Sequence, residues 1–159
     1  MKHIALVLSL AAAWGVTILL SQAGSDAAQP TERSAEKPKS NSMKIRIKIG
    51  DESLTATMLD TETSRDFISM LPLKLRLTDY AGAEKISDLS HKLATKQAPA
   101  GYDPAAGDIA YYAPWGNVAV FYKDAGYAKG LIQLGKLDGG IEKLAGRKSD
   151  FDVVIEAID

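Results

Sequence analysis

GDIAYYAPWGNVAVFY, residues 107–122, reads as two short strands around a turn. Residues 108–112 and 118–123 are rich in the aromatic and β-branched side chains that suit a pleated sheet. Between them Ala113, Pro114, Trp115, Gly116 and Asn117 supply turn chemistry. Downstream, residues 131–137 form another strand. Gly139 and Gly140 then precede a short helix over 141–145, and residues 151–158 alternate as a final strand. Upstream, KIRIKI at 44–49 alternates strictly, with Ile45, Ile47 and Ile49 on one face and bases on the other. A turn at Gly50-Asp51-Glu52 leads to a second strand carrying Leu54, Ala56 and Met58. Asp60 or Thr61 caps a helix over 62–71 that buries Phe67 and Leu71. Pro72 ends it, and Leu73, Leu75 and Leu77 mark a third strand.

Residues 81–107 are less regular. Ile86, Leu89 and Leu93 have helical spacing and predict a short helix, and residues 95–107 read as a long loop rich in Ala, Pro and Gly. The count is about seven strands against two or three short helices. Strands follow one another without regular crossover helices. The expected class is mainly β with a few short helices, in a closed or nearly closed antiparallel sheet with helices at its ends.

The chain has 159 residues with 19 Lys and Arg against 20 Asp and Glu, a formal charge of −1. That balance points away from nucleic acid, whose binders carry a basic excess. A charged fraction of 25% and a hydrophobic fraction of 46% are those of a globular protein. Cysteine is absent, which removes disulfides, thiolate metal sites and a cysteine nucleophile. No phosphate-binding loop or dinucleotide fingerprint is present, and no cofactor is implied.

Lys2 and His3 precede an apolar run over residues 4–20, followed by Ser21-Gln22-Ala23. This is the pattern of a secretory signal, with cleavage expected before Gly24. An uncleaved anchor is the rival reading, because the run is near the shortest that spans a bilayer. Either way the remainder is expected to be exported, periplasmic or extracellular. Residues 24–42 hold no Val, Ile, Leu, Met or aromatic residue and read as a disordered linker. The expected organisation is therefore 1–23 signal or anchor, 24–42 linker and 43–159 folded domain.

The run 107–122, together with Glu84-Lys85-Ile86, Leu89 and residues 131–137, resembles the cyclophilin-like domain family of bacteria and archaea. The opening strand and the Leu71-Pro72-Leu73 turn fit the same family. The resemblance covers residues 43 to about 146. It implies a small closed β-barrel of about eight strands capped by helices. Cyclophilins proper are prolyl isomerases that twist an X–Pro bond with an arginine beside a dry apolar pocket. Their arginine with a downstream Phe-Met-x-Gln is not found here. Ala119 and Val120 stand where their sheet carries polar residues, while Phe121 is retained. The resemblance implies a fold and leaves the activity open.

Aromatic residues crowd the stretch from Tyr102 to Tyr127. Such a cluster suits a pocket with apolar walls and hydroxyl handles, or a core. Alternation allows Tyr111 and Phe121 to face in while Tyr112 and Tyr122 face out, or the reverse. The candidate ligand-binding residues are Tyr112, Trp115, Phe121, Tyr122 and Arg76. His91 lacks a nucleophile partner, and no metal-ligand spacing is present. Glu84 and Lys85 read as a solvated or structural ion pair that caps the start of its segment or bridges to a strand. The first expectation is an exported, non-catalytic domain binding a peptide or small ligand. The alternative is a divergent prolyl isomerase, which requires Arg76 or Arg65 beside Phe121. A third reading is an anchored module that docks a membrane partner.

Overall fold

Ile45, Ile47 and Ile49 lie inside the sheet, as their alternation dictates, on strand β1 (Lys44–Ile49). The computed structural model describes residues 43–158. The expected signal or anchor and the linker lie outside the described residues. Gly50 holds φ +59 at the first position of a two-residue turn, the conformation a tight hairpin needs there. Strand β2 (Glu52–Met58) returns with Leu54, Ala56 and Met58 buried. Thr61 is the cap of helix α1 (Glu62–Ser69), its Oγ1 accepting from the Ser64 amide at 3.1 Å. The helix ends two residues before the expected Leu71, which is only partly buried; Phe67 is fully buried, with Thr63 and Ser64 buried beside it.

Strands β3 (Leu73–Tyr80) and β4 (Glu84–Asp88) follow. After a long connection come β5 (Gly101–Tyr102), β6 (Asp108–Tyr112), β7 (Asn117–Phe121), β8 (Ala128–Lys129) and β9 (Leu131–Leu137). Helix α2 (Glu142–Ala145) and strand β10 (Phe151–Ile158) complete the domain. Eight strands close into an antiparallel barrel in the order β1-β10-β3-β4-β7-β6-β9-β2. Closure removes both sheet edges. Phe67 of α1 and Leu144 of α2 join the core cluster inside.

Residues 84–93 depart from the expected helix. Residues 84–88 are strand β4, paired with β3 on one side and β7 on the other. The spacing misled because the inward position carries a lysine. Lys85, 1% exposed, donates to Asp79 Oδ1 and to the Arg147 carbonyl, both at 2.6 Å. Of the expected roles for Glu84-Lys85, Lys85 makes the bridge to a strand, through Asp79 of β3, while Glu84 points to the opposite face. The stretch read as a loop over 95–107 also contains β5, which pairs with β8 outside the barrel. Gly101 permits this, since a Cβ there would collide with the Ala128 carbonyl.

Candidate functional site

The β6–β7 hairpin sets the site by register. Tyr112 pairs with Asn117, Tyr111 with Val118, Ala110 with Ala119 and Ile109 with Val120. Directly opposed residues share a face. Ile109, Tyr111, Val118 and Val120 therefore enter the barrel core. Ala110, Tyr112, Asn117, Ala119 and Phe121 share the outer face. Of the expected groupings, Tyr111 with Phe121 does not occur: Phe121 goes with Tyr112. Tyr111 is structural, and its hydroxyl accepts from the Leu93 amide at 3.2 Å.

The outer face here is apolar. Ala110, Ala119, Phe121 and Leu131 are buried in a second cluster, with Ile86, Tyr102, Tyr112 and Ala128 packed around them. The two alanines oppose each other and are fully covered by these neighbours. A cavity of about 220 Å³ opens over this face, lined by Tyr80, Glu84, Tyr112, Trp115, Asn117 and Phe121 among others. Trp115 sits on the β6–β7 turn, where Gly116 takes φ +78. It is 56% exposed. Its ring meets Tyr80 at 5.5 Å and 88° and Tyr112 at 5.4 Å and 80°. Edge-to-face contacts of this kind are favourable between ring quadrupoles. They hold the indole across the depression and leave it open to solvent.

Two polar groups in the cavity lack a side-chain partner among the described residues. Glu84 lies directly opposite Tyr80 on β3 and Phe121 on β7. Burial pushes its carboxyl above the ordinary glutamate value, and it makes no ion pair among the described residues. Asn117 is 2% exposed, and its Oδ1 has no donor among the described residues. Beside the cavity, the Tyr102 hydroxyl is likewise buried without a partner. Burial raises its pKa, helped by the charges of Asp108 and Glu84.

Tyr112, Trp115 and Phe121 are thus brought together, while Tyr122 and Arg76 stand elsewhere. Tyr122 follows the last residue of β7 and has the opposite parity to Phe121. Its hydroxyl donates to Asp79 Oδ1 at 2.7 Å, and Lys85 Nζ lies 5.1 Å from its ring centre. The Asp79 bond, with burial second, pushes the Tyr122 pKa up to about 12. Arg76 shares an outward face with Tyr80 but lies four residues away, roughly 13 Å along the strand. It faces Asp150 and Asp152 at 3.7 and 3.4 Å. Arg65 is exposed on α1 and pairs with Asp60. His91 is exposed in the connection after β4.

Sequence reasoning missed Tyr80, Glu84 and Asn117. The signal for Asn117 was the hairpin register, which ties it to Tyr112. For Tyr80 and Glu84 it was the short Ala81-Gly82-Ala83 connection, with φ +51 and +62 at its first two residues, which places them opposite one another.

The family model of the cyclophilin-like family matches residues 47–156. The chain belongs to that family. Among solved structures, this cyclophilin-like domain is similar to a hypothetical protein from Archaeoglobus fulgidus known from its solution structure. The TM-score is 0.58 at 21% identity, covering 72% of this chain and 94% of that one. At this identity the likeness concerns the fold. No curated protein matches the chain.

Proposed function

We propose that this cyclophilin-like domain is a non-catalytic binding module that takes a peptide or small ligand in the cavity on the outer face of β4, β7, β6 and β9. The observation behind this reading is the Tyr80–Trp115–Tyr112 arrangement over an apolar floor. Three rings together with Ile86 and Leu131 on the outside of a barrel offer apolar contact where solvent normally lies. Binding is favoured over prolyl isomerisation because, among the described residues, no arginine lines the cavity. Arg76 and Arg65 are both engaged with carboxylates elsewhere. The apolar segment at residues 4–20 supports export as the setting. Mass spectrometry of the exported protein is expected to show a chain beginning at Gly24; retention of residues 1–23 would favour the anchored form.

The test is exchange NMR on the purified protein with Ala-Pro and Gly-Pro peptides. The expected result is no enhancement of cis/trans exchange. Enhanced exchange that disappears in Phe121→Ala would instead establish an isomerase with an unfamiliar site.

A further inference from the structure

The cavity carries a charge that the fold does not use. Glu84 is half-buried, and among the described residues no lysine, arginine or hydrogen-bond donor meets its carboxylate. Leaving a carboxylate in this state is unfavourable unless something compensates it. Its neighbours are fixed by register. Tyr80 stands directly across on β3 and Phe121 directly across on β7, so aromatic side chains flank the carboxylate on both sides. Trp115 meets Tyr80 at a right angle and extends the aromatic wall toward Tyr112. Aromatic rings beside a carboxylate suit a cation with an apolar stem.

The second unmet group lies at the other end of the same cavity. Glu84 pairs with Phe121, whereas Asn117 pairs with Asp88. The two acceptors are thus four strand residues apart, roughly 13 Å between their backbone positions. The apolar lining of the cavity includes Ile86, Leu131 and Ala128. The buried Oδ1 of Asn117 requires an N–H or O–H donor there. The cavity, about 220 Å³, is smaller than the roughly 300–1,000 Å³ of sites that enclose a drug-sized molecule. It suits one elongated side chain.

We propose that the cavity receives a lysine side chain of a peptide. Its ammonium meets Glu84 between Tyr80 and Phe121, and its alkyl chain lies against Ile86 and Leu131 beside Trp115. A peptide N–H of the ligand donates to Asn117 Oδ1. This rests on the reading of the cavity as a binding site and names the class of ligand. Burial raises the Glu84 carboxyl, and a bound ammonium would draw it back down.

The experiment titrates the purified protein with acetyl-Gly-Lys-Gly-amide, the same peptide with norleucine for lysine, and n-butylammonium. The readout is the Trp115 indole and the amides of Ile86 and Ala128, which line the cavity, by NMR. The lysine peptide is expected to bind at least about fivefold tighter than the norleucine peptide, the scale of one ion pair with ring contact. Glu84→Gln, which removes the charge and keeps the shape, is expected to abolish that difference with the amide spectrum otherwise preserved. n-Butylammonium, which has no peptide N–H for Asn117, is expected to bind more weakly than the lysine peptide. Equal binding of the lysine and norleucine peptides would overturn the lysine assignment and leave the cavity as an apolar binding site. Butylammonium binding as tightly as the lysine peptide would overturn the peptide assignment in favour of a free amine. Absence of any shift at the cavity with all three would overturn both the assignment and the binding reading.

Discussion

Glu84 and Lys85 are neighbours in the chain, yet the alternation of β4 sends them to opposite fates. Lys85 is buried with two oxygen partners at 2.6 Å, so its charge is compensated. Asp79 is correspondingly held below the ordinary aspartate value, first by its bond from Lys85 and then by Tyr122. A depressed aspartate stabilises the fold above its unfolded pKa, and that contribution is lost as pH falls through the folded value. Asp79→Asn should therefore destabilise the protein at neutral pH, with the difference from wild type shrinking in acid. We expect about 2 kcal/mol by urea unfolding at pH 7. That is below the 3–5 typical of breaking a buried pair, because Asp79 is partly solvated and the Arg147 carbonyl still accepts. Lys85→Met, which removes the buried charge altogether, should be the milder change. Glu84 has the opposite sign. Its raised value means that it favours the fold below the unfolded pKa, and this is lost as pH rises through the folded one. Glu84→Gln should therefore melt higher than wild type at pH 7. The two proteins should converge at about pH 3.5, below the ordinary glutamate value. A lower melting temperature for Glu84→Gln at pH 7 would mean that the carboxylate has a partner in the free protein.

At the level of elements, the sequence was most legible where one face is apolar and the other charged. Residues 44–49 could be read unaided, because a one-residue slip would bury Lys44, Arg46 and Lys48. Strand β4 was illegible for the complementary reason: Lys85 occupies an inward position, and its partners come from residues 79 and 147, far apart in the chain. The site was half legible. Tyr112, Trp115 and Phe121 lie within one hairpin, so composition alone gathered them. Tyr122 was grouped with them by adjacency, although strand parity sends it toward Asp79, and Arg76 was grouped by charge type without regard to its distance along β3. Local signals also predict energetics. Thr61 caps α1 through Ser64, so Thr61→Ala should cost about 1 kcal/mol of stability in chemical unfolding. Ala128, partly buried on the cavity wall, makes a sharper probe of the site than of the fold. Ala128→Val should reduce ligand-induced shifts at Trp115 while costing no more than about 1 kcal/mol of stability. Undiminished shifts in that variant would place the ligand elsewhere.

For the whole molecule, closure of the barrel connects the first strand to the last. β10 lies between β1 and β3, so the sheet becomes a barrel only when residues 151–158 have joined residues 44–49. Most of the chain separates them, and the pairing carries a loop-closure cost that burial of apolar surface must exceed. The alternation of both strands was visible in the sequence, but their partnership was not, because nothing local specifies which long-range edges meet. Truncation after Asp150 tests this directly. It removes Val153 and Ile155 from the core, worth about 3–6 kcal/mol together from apolar burial alone. It also leaves β1 and β3 as unpaired edges open to other chains. Against a typical total stability of about 5–15 kcal/mol, that loss is decisive. The truncated chain should therefore show no cooperative thermal transition, lose its near-ultraviolet dichroism and associate at micromolar concentration. A cooperative melt within a few degrees of the intact protein would show that seven strands with two open edges suffice, and that β10 adds little to the core it completes.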